Sequence, residues 1–414
     1  MESYDIAWYF EEGAKKSAVL LDDANFCKDT FPLFDPLKKE INQALSENEK
    51  LGYTYPGGNK ELIALIAEHE SYKENITLTP ENIVVHSGGC TGAIDNIFRT
   101  LFRLSTKVDI LFPIPTYPEI VRSALYNQLN VVPVKTKREY GFQPTFEEIK
   151  AALTPAILAI FILSPGNPTS LYINQEDLAK IKKLCKEKGI YLIVDSIFEE
   201  ATLQFQRQNI FKEVNPGDKI IKIKGFSKDR PQLNDLRLSW TVSTDKEMNK
   251  KLIEVERVSK YSASKLAQRI ALVDLKYRIL QDKKEASLIL SLEEEKSLNE
   301  YHSHVVNFQT TITQALVQTK NLISKNSSVK DFILPDAGNL IFIQANENQK
   351  IKNSHELFFY ILDKANIAIS PGHLFLTEKN ELWFRITMAK NPHLFLESVQ
   401  NILNSLNQLQ KETK

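Results

Sequence analysis

Short apolar runs, each closed by a polar or Gly/Pro-rich turn, recur along this chain. Ile83-Val84-Val85 runs into His86-Ser87-Gly88-Gly89-Cys90-Thr91-Gly92, and residues 108–112 run into Pro113-Ile114-Pro115-Thr116-Tyr117-Pro118. Residues 129–134 are apolar and β-branched, and residues 156–163 lead into Ser164-Pro165-Gly166-Asn167-Pro168-Thr169. Residues 190–195 end in Asp195, residues 220–224 lead to Gly225-Phe226-Ser227-Lys228, and residues 236–242 form a further run containing Arg237. Runs of this length bounded by turn residues predict buried strands. The segments between them have helical periodicity, as in residues 174–188. The alternation predicts an α/β fold with a doubly wound, mostly parallel seven-stranded sheet.

The pattern changes on either side of that stretch. Residues 1–50 read as an irregular arm followed by a helix over 35–45, and residues 262–323 as long, charged and helical, including 283–297. Apolar strands return at 339–343 and 382–388, the second containing Arg385. This predicts a smaller α+β domain that closes over the sheet. The expected division is an arm and helix belonging to the small domain (1–50), a large domain (51–265), and a connecting helix with the C-terminal small domain (266–414).

Composition narrows the classes of function. With 414 residues, 43% of them hydrophobic, the chain can bury a large core. Lys+Arg and Asp+Glu both number 52, so neither a basic nucleic-acid surface nor an acidic tail is expected. Met1-Glu2-Ser3-Tyr4-Asp5 does not read as a signal peptide, and no apolar run reaches membrane-spanning length. Cys27, Cys90 and Cys185 are scattered and odd in number, as free thiols in a reducing compartment would be. A cytoplasmic protein is expected.

The candidate chemistry lies in the turns. Lys228 stands just past a strand end, where α/β folds place reactive groups, and its amine can condense with an aldehyde. The turn 87–93 opens a helix and can cradle an anion on backbone N–H groups. Asp195 is a strand-end carboxylate, Asn167 sits in a Pro/Gly turn, and Tyr117 is flanked by prolines. Taken singly, each has a plainer reading: a surface lysine, an ordinary strand-to-helix turn, a helix cap, a turn asparagine, a packed aromatic. Arg237 and Arg385, charges within strand-like runs, need partners or an exit to solvent.

The order and spacing of these motifs, from about residue 51 to 389, resembles the fold-type I pyridoxal-phosphate enzymes, specifically the class I/II aminotransferase family. The resemblance implies pyridoxal 5'-phosphate joined to Lys228. Its phosphate would be held by Gly89, Cys90, Thr91, Ser227 and Arg237, its ring nitrogen faced by Asp195, its phenolic oxygen by Asn167, and its ring stacked on Tyr117. Arg385, with Asn167, would bind the substrate α-carboxylate. Tyr53 matches a tyrosine that reaches the phosphate of the neighbouring subunit, which implies a homodimer with a shared active site; Tyr55 and packing within its own domain are competing readings. The implied reaction moves an amino group between an L-amino acid and a 2-oxo acid, with Lys228 also moving the Cα proton.

Departures from the family pattern keep a second reaction class open. Phe198 stands where a tyrosine is usual, Gly225 where many members have a serine, and Asp235 and Ser239 where small residues are usual. The loop to Arg237 is one residue longer than in most members. A lyase, cyclase or oxidase acting on an amino acid from the same intermediate is therefore the alternative. A cofactor-binding transcriptional regulator is disfavoured, since no helix-turn-helix pattern precedes Tyr53. His373 and Arg230 are candidates for reading a substrate side chain, with surface roles as their plainer reading.

Overall fold

The computed structural model describes residues 6–16, 18–23, 25–46, 52–201, 208–228 and 230–412. Residues 1–5, and Leu51 at the head of the Tyr53 motif, lie outside them. Seven strands form one sheet: β1 (Ile83–Ser87), β2 (Asp109–Ile114), β3 (Asn130–Lys135), β4 (Ile157–Leu163), β5 (Tyr191–Asp195), β6 (Ile220–Gly225) and β7 (Leu238–Val242). Their spatial order is β1-β7-β6-β5-β4-β2-β3. β7 runs antiparallel to both its neighbours, and the other pairings are parallel. The α/β expectation is met.

Two details differ from the sequence reading. Arg237 is not inside a strand: it takes a left-handed conformation (φ 46) one residue before β7 begins. The charged helix expected over 283–297 is two helices, Lys265–Glu285 and Leu292–Ser324. Ser287 turns the chain with φ 60, and Ser291 restarts the helix through a capping box with Glu294. Charge patterning does not mark that break, because charged residues run on from Lys283-Lys284-Glu285 to Glu293-Glu294-Glu295-Lys296.

The sheet is covered on both sides. Leu62, Ile66, Ile160, Ile162, Leu192 and Trp240 belong to the core on one face, and Phe98, Phe112, Phe161, Ile193, Ile221 and Ile223 to the core on the other. A separate core is built on a second, antiparallel sheet of β8 (Val329–Ile333), β9 (Leu340–Ala345), β10 (Ser370–Pro371) and β11 (Trp383–Thr387), in the order β10-β11-β9-β8. The Leu292–Ser324 helix joins the two: Tyr301 and Val305 sit in the first core, Phe308 and Ile312 in the second. At 33 residues it is about 50 Å long, enough to span both. Ile6, Tyr9, Leu21, Phe26 and Phe31 pack into the second core, whereas Phe34 and Leu37, at the start of the Asp35–Ser46 helix, pack into the first.

Under the first sheet lies a buried charge network. β6 alternates Ile221 and Ile223 toward one core with Lys222 and Lys224 toward the Lys60–Glu74 helix. The Lys222 ammonium meets Glu74 at 2.5 Å, Glu199 at 2.8 Å and Glu70 at 3.2 Å, all buried. Lys224 lies 3.3 Å from Glu199, and Trp240 donates its indole N–H to Glu70 at 2.8 Å. His69, Lys73 and Asp282 extend the network, with His69 Nδ1 2.6 Å and Lys73 2.7 Å from Asp282. Burial alone would lower the pKa of Lys222, but Glu199, Glu70 and Glu74 overcome it and hold the pKa well above the ordinary value. Removing one member of such a set leaves its partners charged in a dry interior. Lys222→Met is expected to cost about 3–5 kcal/mol of stability, read from a lowered urea midpoint or melting temperature. Unchanged unfolding would show that the network contributes nothing.

Candidate active site

Strands β1, β4, β5 and β6 end at the same edge of the sheet, so the turns after them converge. Because β7 is antiparallel, its start reaches that edge too, which brings Arg237 there from the opposite chain direction. After β1, Gly88 (φ 81) and Gly89 (φ 67) take left-handed conformations that side chains disfavour and lead directly into the Gly89–Leu104 helix. Glu256 fixes this turn, accepting from the Ser87 N–H at 3.0 Å and from Asn96 at 2.6 Å. Despite the cost of burial, its bonds to His86 and Ser87 hold the Glu256 carboxyl down to about 2.

The Gly89 amide donates to the Arg237 carbonyl at 2.7 Å, and the Arg237 guanidinium donates to the Gly88 carbonyl at 2.6 Å. Gly89 therefore shapes the turn, while the first-turn amides of Cys90 and Thr91 lie in the part of a helix that lacks intrahelical acceptors. Ser239 donates its hydroxyl to the Gly89 carbonyl at 2.8 Å. A Cβ on Gly225 would stand 3.0 Å from Cys90 Sγ, 3.1 Å from the Leu238 carbonyl and 3.2 Å from Ser239 Cβ. Cys90 and Ser239 thus occupy the space that a side chain at 225 would need. The departures at 225 and 239 are neighbours across two strands, so they are expected to compensate each other in part.

A cavity of about 290 Å³ opens at this edge. Cys90, Thr91, Tyr117, Asn167, Asp195, Ser227, Lys228, Arg237 and Arg385 all line it, with Phe198. Asp195 is buried at the end of β5, its Oδ1 accepting the Ile197 N–H at 3.1 Å. Burial, reinforced by Arg385 and Arg237, lowers the Lys228 amine to about 8. Arg385 reaches in from β11, donating to Asn167 Oδ1 at 2.9 Å, to the Asp22 carbonyl at 2.8 Å and to Ser370 Oγ at 3.0 Å. Its guanidinium lies 5.0 Å over the Phe375 ring, and burial lowers its pKa to about 10.

Other expected residues lie elsewhere. Tyr53 is 86% exposed, its ring edge-on to Tyr261 at 4.7 Å. Arg230 is buried away from the cavity, bonded to the Tyr301 hydroxyl at 3.1 Å, and His373 bonds Tyr9 and Ser354 in the second core. Neither lines the cavity, and the plainer reading of both as surface residues is corrected: Arg230 is buried and His373 half-buried, each bonded to interior partners. The sequence reading missed Asp22 and Asp23, which do line it. The arm was read as irregular, but Val19–Leu20 pairs in parallel with Ile367–Ala368 and delivers both carboxylates to the cavity.

The family described as aminotransferase class I and II matches residues 19–401. The chain belongs to this family. Similar proteins include the aspartate aminotransferase of Thermotoga maritima, 30% identical over 220 residues, a match spanning 52% of this chain and 56% of that protein. The probable aspartate/prephenate aminotransferase of Aquifex aeolicus is 26% identical over 392 residues, 91% of this chain and 88% of that one. The crystal structure of the Thermotoga maritima aspartate aminotransferase superposes with a TM-score of 0.80 at 20% identity, covering 98% of each chain. That of Rhizobium meliloti gives 0.81 at 18% identity, over 99% and 97%. At such identities the superpositions establish the fold.

The cavity of this aminotransferase has the donor set that a phosphorylated pyridine aldehyde requires. It combines a helix N-terminus with a cation for the phosphate, a buried carboxylate for the ring nitrogen, and an amine with a lowered pKa for the aldehyde. The crowding around Gly225 yields a test of the compensating pair. Gly225→Ser should destabilise the protein by about 1–3 kcal/mol through overpacking. Adding Ser239→Gly should recover part of that loss, measured as a favourable coupling in a double-mutant cycle. Strict additivity would refute the pairing.

Proposed function

We propose that this aminotransferase uses pyridoxal 5'-phosphate to move an amino group between an L-amino acid and a 2-oxo acid. The observation that supports this most is the Lys228 amine, lowered to about 8, in one cavity with Asp195 and Arg385. When bound, the cofactor supplies an electron sink for negative charge developing at the substrate Cα.

The chain's own groups then have distinct tasks. Cys90 and Thr91 amides, Ser227 and Arg237 receive the phosphate. Asp195 would keep the ring nitrogen protonated, being a buried carboxylate that lines the cavity. Asn167 would meet the phenolic oxygen and Tyr117 would pack on the ring. Arg385 holds the α-carboxylate and so orients the Cα–H bond. Lys228 is the group that joins the aldehyde, and its amine, once free, takes the proton from Cα. Phe198 offers no hydroxyl to the phenolic oxygen, leaving that contact to Asn167.

The exposed Tyr53 ring supports assembly as a homodimer in which this tyrosine reaches the neighbouring subunit's phosphate. Cys27, Cys90 and Cys185 are free thiols, as a cytoplasmic setting favours. No helix among the described residues is long and apolar enough to cross a membrane.

The reading is tested by mixing loaded enzyme with single amino acids. Conversion of the cofactor to its amine form, reversed by a 2-oxo acid, is expected; ammonia release or oxygen uptake instead would favour a lyase or oxidase. Lys228→Ala should abolish the borohydride-reducible adduct and lower turnover by about 10³-fold or more. A variant that still forms the adduct would show that another lysine carries the aldehyde. The pH dependence has a definite sign: below its pKa the Lys228 amine is protonated and cannot add to a carbonyl. Adduct formation by the apoenzyme with phosphate-free pyridoxal should therefore rise tenfold per pH unit and level off above about 8. A midpoint near the ordinary lysine value would contradict the environment described.

A further inference from the structure

We propose that the side-chain end of the substrate site accepts an amino acid with a cationic side chain, and that Asp22 is the carboxylate that recognises it. This rests on the proposed function, since it needs Arg385 to hold the α-carboxylate and Lys228 to hold the cofactor.

Asp22 is completely buried and lines the cavity. Its Oδ1 accepts the Asp23 N–H at 2.9 Å, while its Oδ2 has no hydrogen-bond partner. A buried carboxylate oxygen without a donor is costly unless a ligand supplies one. Its backbone carbonyl receives Arg385, so the side chain stands beside the anchor of the substrate carboxylate.

Of the charges around the cavity, Arg385 favours the charged form of Asp22, but it donates to the Asp22 backbone carbonyl and leaves Oδ2 without a donor. Among the described lining residues the acids are Asp22, Asp23, Glu119 and Asp195, and the cations are Lys228, Arg237 and Arg385. Asp23 pairs with Lys390 at 2.5 Å, and Glu119 with Arg122 at 3.3 Å. Asp195 is assigned to the cofactor ring. Arg237 sits at the glycine turn and Arg385 at the α-carboxylate, so no described lining cation remains for a distal carboxylate. A dicarboxylic substrate would place its second charge against Asp22. An ammonium or guanidinium there would supply the missing donor and an opposite charge. Ile6 and Phe10, carried by the arm, offer apolar wall for the methylenes of a long basic side chain. Burial pushes the Asp22 carboxyl up to about 7, so an adjacent cation would favour its charged form.

The experiment titrates loaded enzyme with L-ornithine, L-norleucine, L-glutamine and L-aspartate, reading half-saturation from the cofactor absorbance. Ornithine should bind about 30-fold more tightly than norleucine, and aspartate most weakly. In Asp22→Asn the ornithine-to-norleucine ratio should fall about tenfold or more, while Asp22→Glu should retain part of the preference. A purely structural role would weaken both ligands together and leave the ratio intact. The wild-type panel decides the matter even when the Asn variant fails to fold. Loaded enzyme that prefers norleucine, glutamine or aspartate overturns this inference alone. A preparation that takes up no cofactor overturns the proposed function, and this inference with it.

Discussion

The buried ion network on β6 is the constraint from which the position of the site follows. Lys222 and Lys224 point into the interior, where burying an ammonium is tolerable only with carboxylates at close range. Glu70 and Glu74 supply some of these from a helix, but Glu199 comes from the segment that follows Asp195. The same ammonium thus ties the strand leading to Lys228 to the turn beyond Asp195. The amine and the carboxylate that line the cavity are fixed relative to each other by charges beneath them, none of which lines it.

A second constraint is topological. Parallel strands bring only their C-terminal ends to the working edge, so every group they contribute lies after a strand. Reversing β7 lets the chain contribute a residue before a strand, and Arg237 is that residue. Its left-handed backbone is stabilised by reciprocal bonds with Gly88 and Gly89, which couple the glycine turn to this arginine. Ser239 and Gly225 pair across β6 and β7, so the missing side chain at 225 is matched by added bulk beside it.

How much of this was legible in sequence depends on how local each signal is. The strands of the main sheet were readable because burial on both faces writes continuous apolar runs, and the residues at their ends followed. Arg237 was placed inside a strand because Leu236 and Leu238 flank it; its backbone conformation depends on a turn about 150 positions away. Lys222 and Lys224 read as polar positions of a strand, since their partners on the Lys60–Glu74 helix leave no local trace. Asp22 and Asp23 were invisible for the same reason. The arm's two-residue pairing with Ile367–Ala368 is too short to write a periodicity, yet it decides where those carboxylates go.

That pairing also separates the parts of the site. Leu21 accepts from the Thr387 N–H and donates to the Ala368 carbonyl, so the arm continues the small unit that carries Arg385. Asp22, Ser370 and Arg385 form one hydrogen-bonded group on that unit, whereas Lys228, Asp195 and the glycine turn belong to the main sheet. Under the proposed assignments, Asp22 and Arg385 would meet the substrate from the small unit, while Lys228, Asp195 and the glycine turn would meet the cofactor from the main sheet, with Asn167 bonded to Arg385 between them. A change in the arm can alter what is accepted without disturbing the strand ends.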